Sequence, residues 1–268
     1  MKMLKYFIFL SLIFYLLILL FMYIFQRTFM YHPNVKNSDP TTVQFKYKEV
    51  YIESEKDIKL KSWHSYLNPN KKTILFFHGN AGELGARTYK LNKFNDLDLN
   101  FLIISWRGFS GNNGKPTEQG LYKDAQKAVE WLEKKGINKK DIVLYGESLG
   151  TGIAVELATK SKYSGIILES PYTSMIDMGK RFYPFLPISI LQKDKYNSLK
   201  KLSMIKSPIL VLHGKSDKLV PFYMGKKIYD AANEPKYYYF PEFDNHMMTY
   251  DQDMLKTLSN FVNEISKQ

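Results

Sequence analysis

The stretch DIVLYGESLGTGIAVELA, residues 141–158, joins a short apolar run to a helical pattern, with Ser148 at the junction inside G-x-S-x-G. At an average glycine usage of about 7%, and similar serine usage, a chain this long would match that pattern by chance roughly one time in ten. The motif alone decides nothing, so its surroundings must. A nucleophilic serine in this pattern needs a strand before it, a helix after it, an oxyanion donor elsewhere, and an acid and a histidine further along. The first two conditions are met locally. DIVLYG ends where LGTGIAVELATK begins, and Gly146 and Gly150 remove side chains that would clash in so tight a turn. The hydroxyl then stands exposed at the carboxyl edge of a sheet. A helix-capping serine would account for Ser148 but leave both glycines unexplained.

Working outward, five more runs read as strands: TILFFHG (73–79), NFLIISWRG (100–108), GIILESP (165–171), PILVLHG (208–214) and KYYYFPE (236–242). Their near-continuous apolar character suits a mostly parallel sheet covered on both faces. Helical patterns lie between them at about 83–98, 117–135, 149–161, 222–233 and 247–266. The clearest is capped by Thr117, carries Leu121, Ala125, Ala128, Val129 and Leu132 on one side, and stops at Gly136. Ahead of them, VQFKYKEVYIE (43–53) and IKLKSWHSYL (58–67) alternate as an antiparallel hairpin. This order predicts one α/β domain over residues 43–268, with a right-handed, mostly parallel eight-stranded sheet and helices on both faces. Residues 172–206 interrupt it as a short cap-like insertion, because RFYPFLPISIL is too broken by proline for a regular core helix.

The N-terminus is of another kind. Tyr6 to Phe25 run without a charge for about 20 residues, the length that crosses a hydrocarbon core of about 30 Å. A cleaved signal peptide has a shorter apolar region and a small-residue cleavage site. Residues 1–27 therefore read as an uncleaved transmembrane anchor and 28–42 as a connector, with the core wholly after residue 42. Lys2 and Lys5 precede the span while Arg27 and Lys36 follow it, a nearly balanced pattern. The very short N-terminal tail favours an inside N-terminus and a domain on the non-cytoplasmic side.

Composition narrows the chemistry. With 45% hydrophobic residues the chain can bury a substantial core, and with no cysteine it can hold no disulfide, thiolate metal site or catalytic thiol. The five histidines include no H-E-x-x-H pair, so no metal is expected. The net charge of +12 comes mainly from scattered lysine pairs without a nucleic-acid module, and no nucleic-acid partner is expected.

A serine hydroxyl needs a base to take its proton and an acid to orient that base. His246, in PEFDNHMM after the final strand, stands at the same sheet edge as Ser148; His78 and His213 also end strands, while His32 and His64 fall in the connector and the hairpin. Asp217, in HGKSDKLVP, gives the order serine, acid, histidine, and Glu169 at the end of the preceding strand is its rival. Asp244 reads as a turn residue. For the oxyanion, the backbone N–H groups of Leu149 and of Asn80, in the loop HGNAG (78–82), are the candidate donors.

The segments FFHGNAG, SWRGFSGNNGKPTEQGLYKDAQ, IVLYGESLGTGIAVELA, LESPYTS, SPILVLHGKSDKLVP and FPEFDNH, in this order, resemble the membrane-anchored, bud-emergence (BEM) type branch of the α/β-hydrolases, a group similar to serine aminopeptidase-like hydrolases. The resemblance implies an α/β-hydrolase fold with Ser148 as nucleophile, Asp217 as acid, His246 as base, and oxyanion amides from Asn80 and Leu149. Trp106 and Phe109 depart from it, standing where tyrosines are usual, and DNHMM lacks the glycine often found before the histidine. The expected protein is a membrane-anchored serine hydrolase without a cofactor, acting on an acyl ester or thioester of lipid-like character. A serine peptidase could use the same residues, and a non-catalytic membrane-tethered scaffold could keep the same fold.

Overall fold

The structure, a computed structural model, describes residues 1–33 and 43–267; the predicted connector's residues 34–42 lie outside the described residues. The eight predicted strands form one sheet: β1 (Lys48–Glu55), β2 (Ile58–Ser65), β3 (Thr73–Phe77), β4 (Asn100–Ile104), β5 (Ile142–Glu147), β6 (Gly165–Glu169), β7 (Ile209–Leu212) and β8 (Lys236–Tyr239). Their spatial order is 8-7-6-5-3-4-2-1. β1–β2 and β2–β4 pair antiparallel and every other pair is parallel. Strands β3 to β7 are buried along their whole length, which is why their sequences do not alternate.

Helices cover both faces. α3 (Glu118–Lys134), α4 (Leu149–Lys160) and α7 (Phe222–Ala231) bury Leu121, Ile153 and Met224 in one core cluster; α2 (Thr88–Asp96) and α8 (Gln252–Ser266) bury Leu91 and Phe261 in the other. Thr117 caps α3 by accepting the Gly120 N–H, and Gly136 follows at φ 85°. α8 starts later than the sequence pattern suggests because the Asp251 carboxylate accepts the Met254 N–H and fixes the first turn there. Residues ahead of it are thereby left as a loop that carries His246.

Between β6 and β7 the insertion forms two short helices, α5 (Met175–Phe182) and α6 (Ile188–Leu191), separated by Pro184 and Pro187. The N-terminal α1 (Lys2–Met30) buries none of its residues and is long and apolar enough to cross a membrane. The core does not begin after residue 42, as the sequence suggested. Tyr31 is buried in the first core cluster and its hydroxyl meets that of Tyr196 at 2.8 Å. His32 and Pro33 then pair in parallel with Ala81 and Gly82. A lone tyrosine in a polar segment carries no periodic signal of burial, so the sequence hid this anchor point.

Candidate active site

Ser148 sits between β5 and α4 at φ 50° and ψ −112°, a conformation that costs a non-glycine residue about 1–3 kcal/mol. The surrounding chain enforces it. A Cβ on Gly150 would lie 1.9 Å from the Phe77 carbonyl oxygen, and one on Gly146 2.6 Å from that of Gly150. The Ser148 N–H donates to the Glu169 carbonyl at 2.9 Å, tying the turn to β6.

The loop before α8 brings His246 to this serine. Ser148 Oγ and His246 Nε2 are 3.0 Å apart, and His246 Nδ1 and Asp217 Oδ2 are 2.8 Å apart. Since a carboxylate only accepts, Nδ1 carries the proton and Nε2 is free to accept from the hydroxyl. Asp217 Oδ1 accepts the Leu219 and Val220 N–H groups at 2.8 and 2.9 Å, and Oδ2 also lies 3.3 Å from His213 Nε2. Burial would raise the Asp217 carboxyl, but hydrogen bonds from His213, His246 and the Val220 N–H outweigh it and hold the group below the usual carboxylate range. His213 thus helps hold the Asp217 carboxylate, a contact its place before Asp217 in sequence did not reveal.

Glu169 points elsewhere. Its carboxylate takes Lys90 Nζ at 2.8 Å and the hydroxyls of Tyr145 and Tyr250 at 2.6 and 2.8 Å. Lys90 also meets Glu147 Oε2 at 2.6 Å, and Arg87 Nη2 meets Glu147 Oε1 at 2.6 Å. Two cations and two carboxylates are therefore paired beneath the sheet edge. Burial pushes Glu147 up, yet Lys90 and Arg87 hold it well below its ordinary value. Glu147 Oε1 also accepts the Gly79 N–H at 3.2 Å, linking the serine turn to the loop at 78–82. Lys90, Arg87 and Glu147 escaped the sequence reading because these pairs join residues 57 to 79 positions apart. The one available signal was a charge at each of two strand ends, Glu147 and Glu169, in otherwise apolar runs.

Asn80 is held from both sides: its Nδ2 donates to the Met30 carbonyl at 2.9 Å, and its own carbonyl accepts the His32 N–H at 3.0 Å. Asn80, Ser148 and Leu149 line one cavity of about 330 Å³. The Leu149 N–H opens α4, where first-turn donors have no intrahelical partner. Asp244 accepts the Thr249 N–H at 2.9 Å, a turn contact. His78 is fully buried and held down to about 3 by its burial and by Arg87, while His64 packs edge-on against Trp131 with centroids 5.0 Å apart. Among the described residues no cluster of His, Asp and Glu could hold a metal ion.

Sheet order and turn geometry together mark the molecule as an α/β-hydrolase. It is 33% identical to the protein bem46 of Schizosaccharomyces pombe over 218 residues, covering 75% of this chain and 73% of that one. It is 32% identical to an uncharacterised protein of Mycobacterium tuberculosis over 225 residues, 82% and 80% of the two chains. The chain belongs to the serine aminopeptidase-like, bud-emergence branch of the α/β-hydrolases. The family described as serine aminopeptidase, S33, matches residues 68–193. In fold it is similar to the Pyrococcus furiosus esterase Pf2001, with a TM-score of 0.71, 22% identity and coverage of 87% of this chain and 98% of that one.

Proposed function

We propose that this hydrolase is a membrane-anchored serine enzyme that cleaves an acyl ester or thioester through Ser148, His246 and Asp217. The single observation that carries the reading is the hydrogen-bonded chain Ser148 Oγ, His246 Nε2, His246 Nδ1, Asp217 Oδ2 at the end of an apolar cavity. Ser148 Oγ attacks the acyl carbon as His246 Nε2 takes its proton. Asp217 stabilises the imidazolium so formed. The N–H groups of Asn80 and Leu149 stabilise the oxyanion, and collapse expels the alcohol or thiol, which takes its proton from His246. Water then loses a proton to His246 as it attacks the acyl-enzyme, and the returning proton frees Ser148 with release of the carboxylic acid.

A peptidase reading draws on the same three residues and on the family's name. An aminopeptidase must also neutralise a free N-terminal ammonium, and among the described residues lining the cavity none is a carboxylate. The lining favours an acyl chain. In this reading α1 is the membrane anchor, with the N-terminus inside and the catalytic domain on the non-cytoplasmic side. A fluorophosphonate probe should label the full chain at Ser148 and fail on Ser148→Ala. Equal labelling of both would overturn the nucleophile, and no labelling of the parent would favour a non-catalytic scaffold. Esters and thioesters of graded acyl length, run beside aminopeptidase substrates, decide the bond that is cleaved.

A further inference from the structure

The cavity at Ser148 is not enclosed by the hydrolase domain alone. Met22, Gln26, Phe29 and Met30 of α1 line it together with residues of the insertion. Along α1 only Ile18, Leu19, Met22, Gln26 and Met30 are partly covered, and four of these five repeat at i, i+4 along one face. That face is clamped to the insertion by polar contacts. Tyr15 donates to the Phe185 carbonyl at 2.9 Å, Gln26 Nε2 to the Leu191 carbonyl at 3.0 Å, and the Lys193 N–H to Gln26 Oε1 at 2.8 Å. Arg27 closes the series with Asp194 at 2.7 Å.

Depth follows from helix geometry. Tyr15 and Gln26 are eleven residues apart, about 16 Å along the axis, which is half of a hydrocarbon core about 30 Å thick. If Tyr6 to Phe25 spans the core, Phe185 reaches its centre and Arg27 with Asp194 marks the interface. The insertion then dips into one leaflet, which accounts for Phe185 at 64% and Ile190 at 83% exposure to solvent. Of the cavity-lining side chains, those left exposed are Phe29, Phe182, Leu219 and His32, so the mouth is mainly apolar. At the other end Met30, whose carbonyl binds Asn80, lies about 8 Å past Phe25, in the headgroup zone where lipid ester carbonyls sit.

Resting on the proposed hydrolase reading, we infer that the inner face of α1 is a wall of the acyl site, and that the substrate is a long-chain acyl ester of a lipid taken from the leaflet in which the insertion sits. The chain enters between α1 and α5 and the ester carbonyl stays at interfacial depth beside Ser148. The helix sets chain-length preference as well as location.

The test uses the full chain in phosphatidylcholine vesicles, with palmitoyl and acetyl esters of one alcohol. Met22→Trp fills the wall and should lower the palmitoyl-to-acetyl ratio of kcat/KM at least tenfold, with probe labelling of Ser148 counting the folded sites. Ile24→Trp, on the opposite face of α1, should keep the parent ratio. A ratio within twofold of the parent for Met22→Trp overturns the inference. A second readout needs no hydrolysis: in Ser148→Ala, a palmitoyl ester carrying a terminal diazirine should crosslink to Met175 or Met178 inside the cavity, and Met22→Trp should abolish this. Crosslinks confined to Phe185 and Ile190, or unaffected by Met22→Trp, overturn it equally. Failure of the parent to cleave any ester or take the probe would instead defeat the hydrolase reading, and the crosslink would still decide the wall.

Discussion

Two regions meet at Ser148 and are built on opposite principles. Behind it, Lys90, Arg87, Glu147 and Glu169 are all buried and paired, and the strands around them are covered throughout. In front of it, α1, α5 and α6 enclose the cavity with apolar side chains, some of them loosely covered, such as Phe29 and Phe182. The back cannot move without unpairing a charge in a low-dielectric interior, which costs about 3–5 kcal/mol. The front has one such pair, Arg27 with Asp194 at its interfacial end, and elsewhere meets a surrounding medium that can replace its contacts. On the proposed reading, geometry for chemistry is stored in the back and selection of substrate in the front. Each expected outcome below either separates the two or merges them.

The largest effect belongs to the acid. Asp217→Asn leaves the shape of the site but removes the charge that fixes the His246 tautomer, and kcat should fall by roughly 10³–10⁴. Glu169→Gln should do the reverse: it leaves Lys90 with one carboxylate fewer, lowers the melting temperature and spares most of kcat. Turnover and thermal unfolding, measured on both variants, check this. A larger loss of kcat in Glu169→Gln would shift the orienting role to Glu169. Next comes Lys90→Met, which leaves the buried Glu169 without a cation and Glu147 with Arg87 alone, and should destabilise the fold by about 3–5 kcal/mol in denaturant titration. A loss below about 1 kcal/mol would mean that the back is not held by its charges.

A smaller effect follows from the depressed histidine at the start of the loop at 78–82. His78 is neutral in the fold, held down to about 3, whereas in the unfolded chain it titrates near its ordinary 6.5. As pH falls below 6.5 the unfolded chain binds the proton and the folded one does not. Stability is therefore full above about pH 6.5 and lost as pH drops toward 3, with a limiting slope of about 1.4 kcal/mol per pH unit. His64, brought to about 4 chiefly by burial, titrates in the same window. The Asp217 contribution enters only at the lower end of that window, because a lowered carboxyl keeps its full stability above its ordinary range and loses it as pH falls through that range and below. Denaturant titrations between pH 6 and pH 4 should show His78→Asn flattening the slope without removing it. An unchanged slope would show that His78 is protonated in the fold.

The back of the site was far more legible in the sequence than the front. Buried parallel strands write themselves as continuous apolar runs, and the ends of those runs located Ser148, Glu169 and Asp217 at one edge. His246 could be placed after β8 for the same reason. The Lys90 and Arg87 pairings were not visible, since an ion pair across 57 or 60 positions leaves no periodic mark. The front was hidden for a different reason. A helix apolar on every side shows no buried face, so the stripe Ile18, Met22, Gln26, Met30 could not be told from its neighbours. Gln26 was the one departure available, a polar residue at the end of the apolar run, and Tyr31 the one buried aromatic in a segment that read as connector.

The smallest effect is the one that tests the front directly. The sequence FYPFLPISIL treats Phe185 and Leu186 alike, as adjacent apolar residues between two prolines. In the fold they diverge: Leu186 is buried and lines the cavity, whereas Phe185 is 64% exposed and accepts the Tyr15 hydroxyl of α1 at its carbonyl. Leu186→Asp should place a carboxylate against the acyl chain and lower kcat/KM for a palmitoyl ester about tenfold more than for an acetyl ester, equivalent to about 1.4 kcal/mol. Phe185→Asp in detergent should preserve the parent's chain-length profile and melting temperature. Moved into vesicles, the same variant carries a charge toward the hydrocarbon, where an aspartate costs about 2.5–3.5 kcal/mol, and the insertion should lift away from the leaflet. The palmitoyl ester should then lose activity only in the vesicles. If both variants instead lose activity on both esters and melt early in detergent, the insertion is core like the back of the site, and the division between a rigid rear and a lipid-adapted front does not hold.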